Sequence, residues 1–277
     1  MNAKNVIPLK PYPELPGVLK QLIDGVKSIL SDNLTGIYLV GSLATGDFDL
    51  DSDIDFLIVI EDELSNEMVF QLQEMHRAIH DQDCYPAKHL EGSYIRKGLL
   101  GNPHTMIKQK IWYLDNGSRT LELSDHDNRW HVHWVLREMG IVLWGPEPTT
   151  LMKPIPVNLL KQDVVVILDL IAEGFEQELD QELVYYNSRF GQSFVVLTMC
   201  RILQTISTGS IQSKKAGKDW AKNILDSEWR DFIEQAWEER EGVRFCIKIR
   251  ERADQQLLER TNVFIKYIQK CYIKKIS

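Results

Sequence analysis

Residues 41–55, with the sequence GSLATGDFDLDSDID, limit the folds open to this chain more than any other segment. They join a strand-like segment at 37–40 to a second apolar run at 56–60. Side chains alternate between the two faces of a strand, so Asp53 and Asp55 point to the same side. Two parallel carboxylates on a strand suit a hard cation such as Mg²⁺, which binds oxygen ligands and can carry nucleotide phosphates with it.

A glycine–serine pair precedes the acidic turn and adds a second constraint. Gly41 allows the backbone to approach a phosphate closely, and Ser42 offers it a hydroxyl and a backbone N–H. The alternative is a solvated acidic turn, because further aspartates lie between residues 46 and 52. The pair, the spacing and the flanking strands together favour a site. Residues 38–60 resemble the Gly-Ser…Asp-x-Asp signature of the DNA polymerase β-like nucleotidyltransferase superfamily.

The composition is that of an ordinary globular protein, with 44% hydrophobic and 26% charged residues. The 277 residues are enough for two modest domains. The formal net charge of −8 argues against nucleic acid as the main partner, because such proteins need a basic surface. The same charge is compatible with a cationic small molecule, although mild acidity also serves solubility alone.

The sequence favours a cytoplasmic protein that does not enter a membrane. No apolar run approaches the roughly 20 residues that span a bilayer. Prolines interrupt residues 1–17, where a signal peptide would have its apolar region. The cysteines are too scattered for a metal site and fit a reducing compartment; they are Cys84, Cys200, Cys246 and Cys271.

Hydrophobic periodicity predicts helices and strands in mixed order up to residue 144. These helices cover 14–33, 43–46, 65–81 and 125–140, and the strands cover 37–40, 54–60, 88–95, 108–114 and 141–144. After a proline-rich linker the predicted helices cover 157–172, 175–186, 193–207, 214–225, 228–241 and 249–273. The order predicts an α+β chain, with a mixed sheet flanked by helices in residues 1–153 and an all-α helical bundle in residues 154–277.

A nucleotidyl transfer site needs a third acid, which takes the proton from the attacking hydroxyl or holds a second metal ion. Glu91 is the only acid in the strand predicted at 88–95. That strand would lie beside the one that carries Asp53 and Asp55. The alternative is a surface carboxylate at the edge of the sheet.

The second half of the chain offers an anion site. The central helix at 193–207 is apolar nearly all round, and Arg201 interrupts it. A buried guanidinium needs a partner, and either a nucleotide phosphate or a structural ion pair would supply one. Ser213 then caps a new helix with Lys214 in its first turn and further lysines after it. This arrangement attracts phosphate, and it also fits a solvated basic face.

Residues 194–221, FVVLTMCRILQTISTGSIQSKKAGKDWA, resemble the matching region of aminoglycoside adenylyltransferases of the streptomycin/spectinomycin 3″/9 type. The resemblance implies ATP and Mg²⁺, an N-terminal nucleotidyltransferase domain, a C-terminal helical domain and catalysis in the cleft between them. It makes Asp53 and Asp55 catalytic metal ligands, and Glu91 the base and a further ligand. The implied ATP contacts are Ser42, Ser52, Arg201 and Lys214, to which the turn adds Gly41.

The loop before the central helix differs from that of this family, whose members bind the drug there through an aromatic residue followed by acids. Residues 185–191, YYNSRFG, keep the aromatics, lack an acid and gain Arg189. We therefore expect this protein to recognise its acceptor differently from the named members of the family. The acids of residues 173–182 could bind the acceptor instead, unless they form a solvated helix face.

A histidine-rich segment, residues 126–134 (HDNRWHVHW), predicts a buried helix rather than a zinc site. His131 and His133 lie on different sides of a helix and cannot share an ion. Aromatic side chains that stack on a sugar ring are a second alternative for this segment.

These observations predict an Mg²⁺-dependent nucleotidyltransferase that moves AMP from ATP to a hydroxyl of a small, cationic, aminoglycoside-like acceptor and releases pyrophosphate. Antibiotic resistance is the activity associated with the family that the chain resembles, and the sequence leaves open whether it is the physiological role. Two alternatives stay open: a non-catalytic, antitoxin-type module that binds a protein partner, and an enzyme that adenylylates a protein side chain. The third acid argues against the first alternative. The lack of a docking extension argues against the second. A monomer is the favoured oligomeric state.

Overall fold

The computed structural model describes residues 11–101, 109–240 and 250–276, with side chains up to residue 271. The chain divides between Ile155 and Pro156 into two compact units. Residue 108 of one predicted strand, residues 241 and 249 at two predicted helix ends, and Cys246 lie outside the described residues.

The strands of the first unit are β1 (Leu34–Leu39), β2 (Ile54–Ile60), β3 (Leu90–Arg96), β4 (Ile111–Leu114), β5 (Leu121–Ser124) and β6 (Ile141–Trp144). Together these described strands form one six-stranded sheet in the order β5-β4-β3-β2-β1-β6. β2 and β3 are parallel, and the other neighbouring pairs are antiparallel. The parallel pair requires a crossover, which the helix at residues 66–80 supplies.

Helices flank this sheet. They are α1 (Leu15–Leu30), α2 (Gly41–Thr45), α3 (Asn66–His80), α4 (Tyr85–Lys88), α5 (Trp130–Met139) and α6 (Pro148–Leu151), with 3₁₀ turns at Ser31–Asn33 and Lys97–Leu99. α1 buries its apolar face, including Leu15, Leu22 and Val26, in the same core as β1 and β2. α3 begins after Ser65, whose Oγ accepts a hydrogen bond from the Met68 N–H at 3.2 Å.

The described part of the second unit is helical. Its helices are α7 (Val157–Glu178), α8 (Arg189–Thr208), α9 (Lys214–Ile224), α10 (Arg230–Arg240) and α11 (Gln255–Ile276), with a 3₁₀ turn at Ser227–Trp229. α8 is buried over most of its length, and Phe175, Phe232 and Phe264 share its core. The predicted α+β class, a mixed sheet followed by a helical bundle, is confirmed. No helix in the described ranges is long and apolar enough to cross a bilayer.

Several predicted helices differ from the structure. α7 continues to Glu178, so the helix predicted at 175–186 is wrong, and residues 179–187 form turns and bends. The helix predicted at 249–273 begins only at Gln255 in the described residues. The helix predicted at 125–140 begins only at Trp130. Asp127, before it, is held instead by the Ser93 hydroxyl, which donates to Asp127 Oδ2 at 2.7 Å.

The burial of α5 agrees with the sequence analysis. Trp130 is 5% exposed and His133 is fully buried, so the interpretation of a core helix is confirmed for these two residues. β5 was not predicted, because its alternation of apolar and polar residues covers only four positions, Leu121 to Ser124, of which two are exposed.

Asn187 organises the turn segment between α7 and α8. Its side chain is fully buried. Its Nδ2 lies 2.9–3.1 Å from the carbonyl oxygens of Glu178, Gln181 and Glu182. Its Oδ1 accepts a hydrogen bond from the Val184 N–H at 2.9 Å. One side-chain amide therefore contacts four backbone groups of this turn.

We expect Asn187→Ala to lower the free energy of unfolding by about 2–4 kcal/mol, because it removes a fully buried amide and its hydrogen bonds to four backbone groups of the turn. Asn223→Ala is the matched control, since the exposed Asn223 amide donates to the Asp219 carbonyl on the surface of α9. Its effect should stay within about 0.5 kcal/mol. Urea unfolding measures both variants, and equal effects would contradict the role given to Asn187.

Candidate active site

Three carboxylates meet at one end of the parallel strand pair. Asp55 and Glu91 stand side by side, because they are register partners in β2 and β3. Asp53 lies just before β2, two residues from Asp55 and on the same side of the chain. One oxygen atom of each acid lies within 4.8 Å of the others. The structure thus brings together the acids to which the sequence analysis gave metal binding and proton transfer.

Gly41 packs directly on the Asp55 carboxylate. A Cβ atom at position 41 would lie 1.8 Å from Asp55 Oδ2, and the φ angle of Gly41 is +56°. The Val40 N–H donates to the Asp55 carbonyl at 3.0 Å and ties this turn to β2. Both space and backbone conformation therefore require glycine at position 41.

Ser42 and Ser52 use their hydroxyls differently. The Ser42 Oγ is buried and has no hydrogen-bond partner among the described residues, as expected of a group that receives a ligand. The Ser52 Oγ donates to Asp49 Oδ1 at 2.7 Å and accepts from the Asp49 N–H at 3.1 Å. The Ser52 hydroxyl therefore holds the acidic turn together, whereas the Ser42 hydroxyl has its hydrogen-bonding capacity unused.

Burial and repulsion set the protonation of the third acid. Burial raises the pKa of Glu91 well above its usual range, and the charges of Asp53 and Asp55 raise that pKa further. The hydrogen bond from Tyr113 acts in the opposite direction. A divalent cation between the carboxylates would remove the repulsion, so this all-oxygen donor set fits a hard ion such as Mg²⁺.

Tyr113 belongs to this site and was missed in the sequence analysis. It lies in β4 opposite Ser93, and its Oη donates a hydrogen bond to Glu91 Oε1. Burial and the neighbouring Glu91 charge raise the pKa of Tyr113, so the phenol keeps its proton and remains a donor. A tyrosine in the strand predicted at 108–114 was the available signal, but the contact of its hydroxyl with Glu91 depends on strand register.

Two loops complete the surroundings of the acids. From the turn after β4, the Asn116 Nδ2 donates to Asp53 Oδ2 at 3.3 Å. From the segment before α5, the His126 Nε2 lies 3.8 Å from Glu91 Oε1 and 3.9 Å from Asp127 Oδ1. In the sequence, His126 was predicted only as part of a helix, and no pattern pointed to Asn116 or Asp127.

The two cations predicted to bind ATP lie in the second unit. Arg201, on α8, is half-buried, and its Nε donates at 3.2 Å to a backbone carbonyl of the turn before α9. Lys214 is the first residue of α9, and its Nζ lies 5.5 Å from the ring centre of Phe194. Ser213 caps α9 as predicted, since its Oγ accepts a hydrogen bond from the N–H of the third helical residue.

Two other cations of this region form ion pairs. The Lys218 Nζ is buried and lies 3.2 Å from a Glu234 oxygen. Arg189, from the acid-free loop, lies 2.7 Å from a Glu239 oxygen and 2.6 Å from a Glu251 oxygen. Their positive charges are therefore balanced within the second unit, and the pairs give both residues a structural role.

Two family models match the chain. Residues 150–268 match the model described as Aminoglycoside adenylyltransferase, C-terminal domain. Residues 19–99 match the model described as Nucleotidyltransferase domain. The first match spans most of the second unit and the second spans α1 to β3, which includes all three acids.

Similar proteins are found among curated sequences and solved structures. Spectinomycin 9-adenylyltransferase of Staphylococcus aureus (strain Mu50 / ATCC 700699) is 24% identical over 242 residues, which cover 83% of this chain and 86% of that protein. The protein of the same name from Campylobacter jejuni is 26% identical over 215 residues, which cover 75% of this chain and 78% of that protein. A crystal structure of spectinomycin adenyltransferase from Enterococcus faecialis, with ATP and spectinomycin, has the same fold. The TM-score is 0.69 at 16% identity, covering 93% of this chain and 98% of that one.

We expect Gly41→Ala to weaken the binding of Mn²⁺, used in place of Mg²⁺, by about tenfold or more, because the added Cβ must displace the Asp55 carboxylate. Gly46→Ala is the matched control. Gly46 also has a left-handed φ, +87°, but no atom lies within 4 Å of an added Cβ. Electron paramagnetic resonance titration of the ATP-free protein measures both affinities. Equal weakening in the two variants would show that backbone strain, not the contact with Asp55, causes the loss.

Proposed function

Because the chain belongs to the aminoglycoside adenylyltransferase family, we propose that it transfers AMP from ATP to a hydroxyl of a small, cationic, aminoglycoside-like acceptor. Pyrophosphate is the second product, and antibiotic resistance is the role that such a reaction serves. The observation that carries this proposal is the group of three acids, Asp53, Asp55 and Glu91, at one end of two adjacent parallel strands.

In the proposed site, Asp53, Asp55 and Glu91 hold Mg²⁺ through carboxylate oxygens. Bound Mg²⁺ compensates the charge of the triphosphate and polarises its phosphoryl oxygens. Asp53 and Asp55 would hold the ion together, because they lie two residues apart and on the same side of the chain. The Asn116 amide, which donates to Asp53, holds that carboxylate in place.

Glu91 is the group that we assign as general base. It takes the proton of the acceptor hydroxyl while the hydroxyl oxygen forms a bond to the α-phosphorus of ATP. The bond from that phosphorus to the bridging oxygen breaks on the opposite side, and pyrophosphate leaves with the bonding electron pair. AMP remains on the acceptor.

We propose five residues as nucleotide contacts. Gly41, Ser42 and Ser52 lie in or beside the turn before β2, where the buried Ser42 hydroxyl supports a phosphate contact. The planar guanidinium of Arg201 can bind two phosphate oxygens at once. Lys214 adds its charge to the positive end of the α9 dipole, which favours an anion there.

The acceptor is proposed to be cationic on two grounds. The chain has a net charge of −8, and Asp127 adds a fourth carboxylate beside Glu91. Arg189, which the loop 185–191 gains, does not oppose such an acceptor, because Glu239 and Glu251 balance its charge.

We also propose a domain organisation, an oligomeric state and a cellular compartment for the protein. We propose that residues 1–153 form the nucleotidyltransferase domain and residues 154–277 the helical domain, and that the protein acts as a cytoplasmic monomer. The described cysteines, Cys84, Cys200 and Cys271, are free, which is compatible with a reducing compartment.

A panel of aminoglycosides and aminocyclitols, screened for ATP-dependent pyrophosphate release, tests the function as a whole. At least one member should be adenylylated. Glu91→Gln should abolish turnover of that acceptor and leave ATP binding nearly intact, because a sugar hydroxyl is a poor nucleophile until its proton is taken. Absence of turnover with every member would overturn the proposal, and a protein adenylylated in cell extract would favour a protein substrate.

We expect Asp53→Asn to abolish pyrophosphate release while the protein stays folded, because the triphosphate charge is then poorly compensated. Asp62→Asn is the matched control, since the exposed Asp62 follows β2 at its other end. Circular dichroism verifies folding, and a coupled pyrophosphate assay measures turnover. Wild-type turnover in Asp53→Asn would remove the metal site from the mechanism.

We expect Arg201→Ala and Lys214→Ala each to weaken ATP binding by about 1–3 kcal/mol, the value of a charge-assisted hydrogen bond. Lys215→Ala is the control, because Lys215 is the next residue of α9 and is exposed. Titration calorimetry measures the three affinities. If Arg201→Ala unfolds the protein and the folded fraction still binds ATP normally, Arg201 has a structural role.

A further inference from the structure

The Tyr113 phenol is the direct hydrogen-bond donor to Glu91 among the described side chains of the site. Tyr113 is 4% exposed, and its Oη donates to Glu91 Oε1. The same Oη lies 3.2 Å from Asp115 Oδ1, a longer contact, so the single phenolic proton is directed at Glu91.

The Tyr113 ring is itself held in place. The His126 ring stacks on it, with centroids 5.0 Å apart and an angle of 20° between the planes. β4 fixes the backbone, because Tyr113 pairs with Ser93 of β3, two residues along the strand from Glu91. A phenol so restrained can fix the rotation of the carboxylate that it binds.

The hydrogen bond distinguishes the two oxygens of Glu91. Oε1 receives the Tyr113 proton, and Oε2 is the oxygen left to receive a proton from another group. A general base works only when an oxygen stands within hydrogen-bond reach of the proton that it takes. Holding that oxygen in one orientation reduces the entropy that must be lost to align the base with the hydroxyl before proton transfer.

We propose that Tyr113 is a positioning residue that orients the Glu91 carboxylate: Oε1 is tied to the protein, and Oε2 is presented to the metal site and to the acceptor hydroxyl. This inference rests on the proposed function, because it concerns the base of that reaction. It assigns a role to a side chain that neither touches the reacting atoms nor carries charge.

Tyr113→Phe tests the inference, since it removes one oxygen atom and keeps the buried ring. Tyr94→Phe is the matched control. Tyr94 is a buried tyrosine of the same sheet, on β3, and its Oη lies 2.7 Å from His76 Nε2, so its substitution also removes one buried phenolic hydrogen bond. The thermal midpoint of each variant measures the general cost of losing such a bond.

The first measurement is steady-state turnover of an accepted aminoglycoside. We expect kcat of Tyr113→Phe to fall by about 10–100-fold, as for other residues that orient a functional group, with the KM for ATP changed less than about twofold. Tyr94→Phe should keep kcat within about twofold. A loss of structure alone would instead lower the active fraction in both variants in proportion to their stability.

The second measurement does not need turnover. Mn²⁺ binding to the ATP-free protein, followed by electron paramagnetic resonance, should weaken about tenfold in Tyr113→Phe and stay unchanged in Tyr94→Phe. A fall in kcat or in Mn²⁺ affinity beyond that of Tyr94→Phe supports the inference, and equality of the two variants in both measurements overturns it. If the wild-type protein adenylylates no acceptor, the proposed function fails, and Mn²⁺ binding alone then decides the role of Tyr113.

Discussion

Repulsion among three closely spaced carboxylates is the constraint on which the first unit depends. Asp55 and Glu91 are neighbours because β2 and β3 run parallel and in register, and like charges this close oppose each other's ionisation. The rest of β2, from Phe56 to Ile60, is at most 2% exposed. Apolar burial of the strand thus offsets the cost of the acids at its start, and a rigid element holds them in position for a cation.

The sequence made the acids predictable, because Asp53, Asp55 and Glu91 lie on two consecutive strands with strong apolar patterns. Tyr113 and Asp127 could not be placed in the same way. Both reach the site through pairings distant along the chain, β4 against β3 and a Ser93–Asp127 hydrogen bond. Local periodicity carries no information on such register.

The cations of the second unit illustrate the same limit. By sequence alone, Lys218 belongs to the same basic turn as Lys214, and Arg189 to a loop expected to contact the acceptor. The structure places Lys218 against Glu234 of α10, and Arg189 against Glu239 and Glu251. Helix packing between distant segments decides which cationic side chain forms an ion pair within the protein. The residue type alone does not show this.

The position of β6 has a consequence for how the first unit is made. β6 pairs with β1 at the edge of the sheet, and the Tyr38 hydroxyl donates to the Pro146 carbonyl at 2.8 Å just beyond it. A ribosome delivers β1 and β2 first, and β6 only after residues 61–140. Until then one edge of β1, an apolar strand, exposes unpaired N–H and C=O groups to any other chain nearby. Strand β6 therefore closes the sheet last, and nascent chains that end before it carry an open edge prone to aggregation.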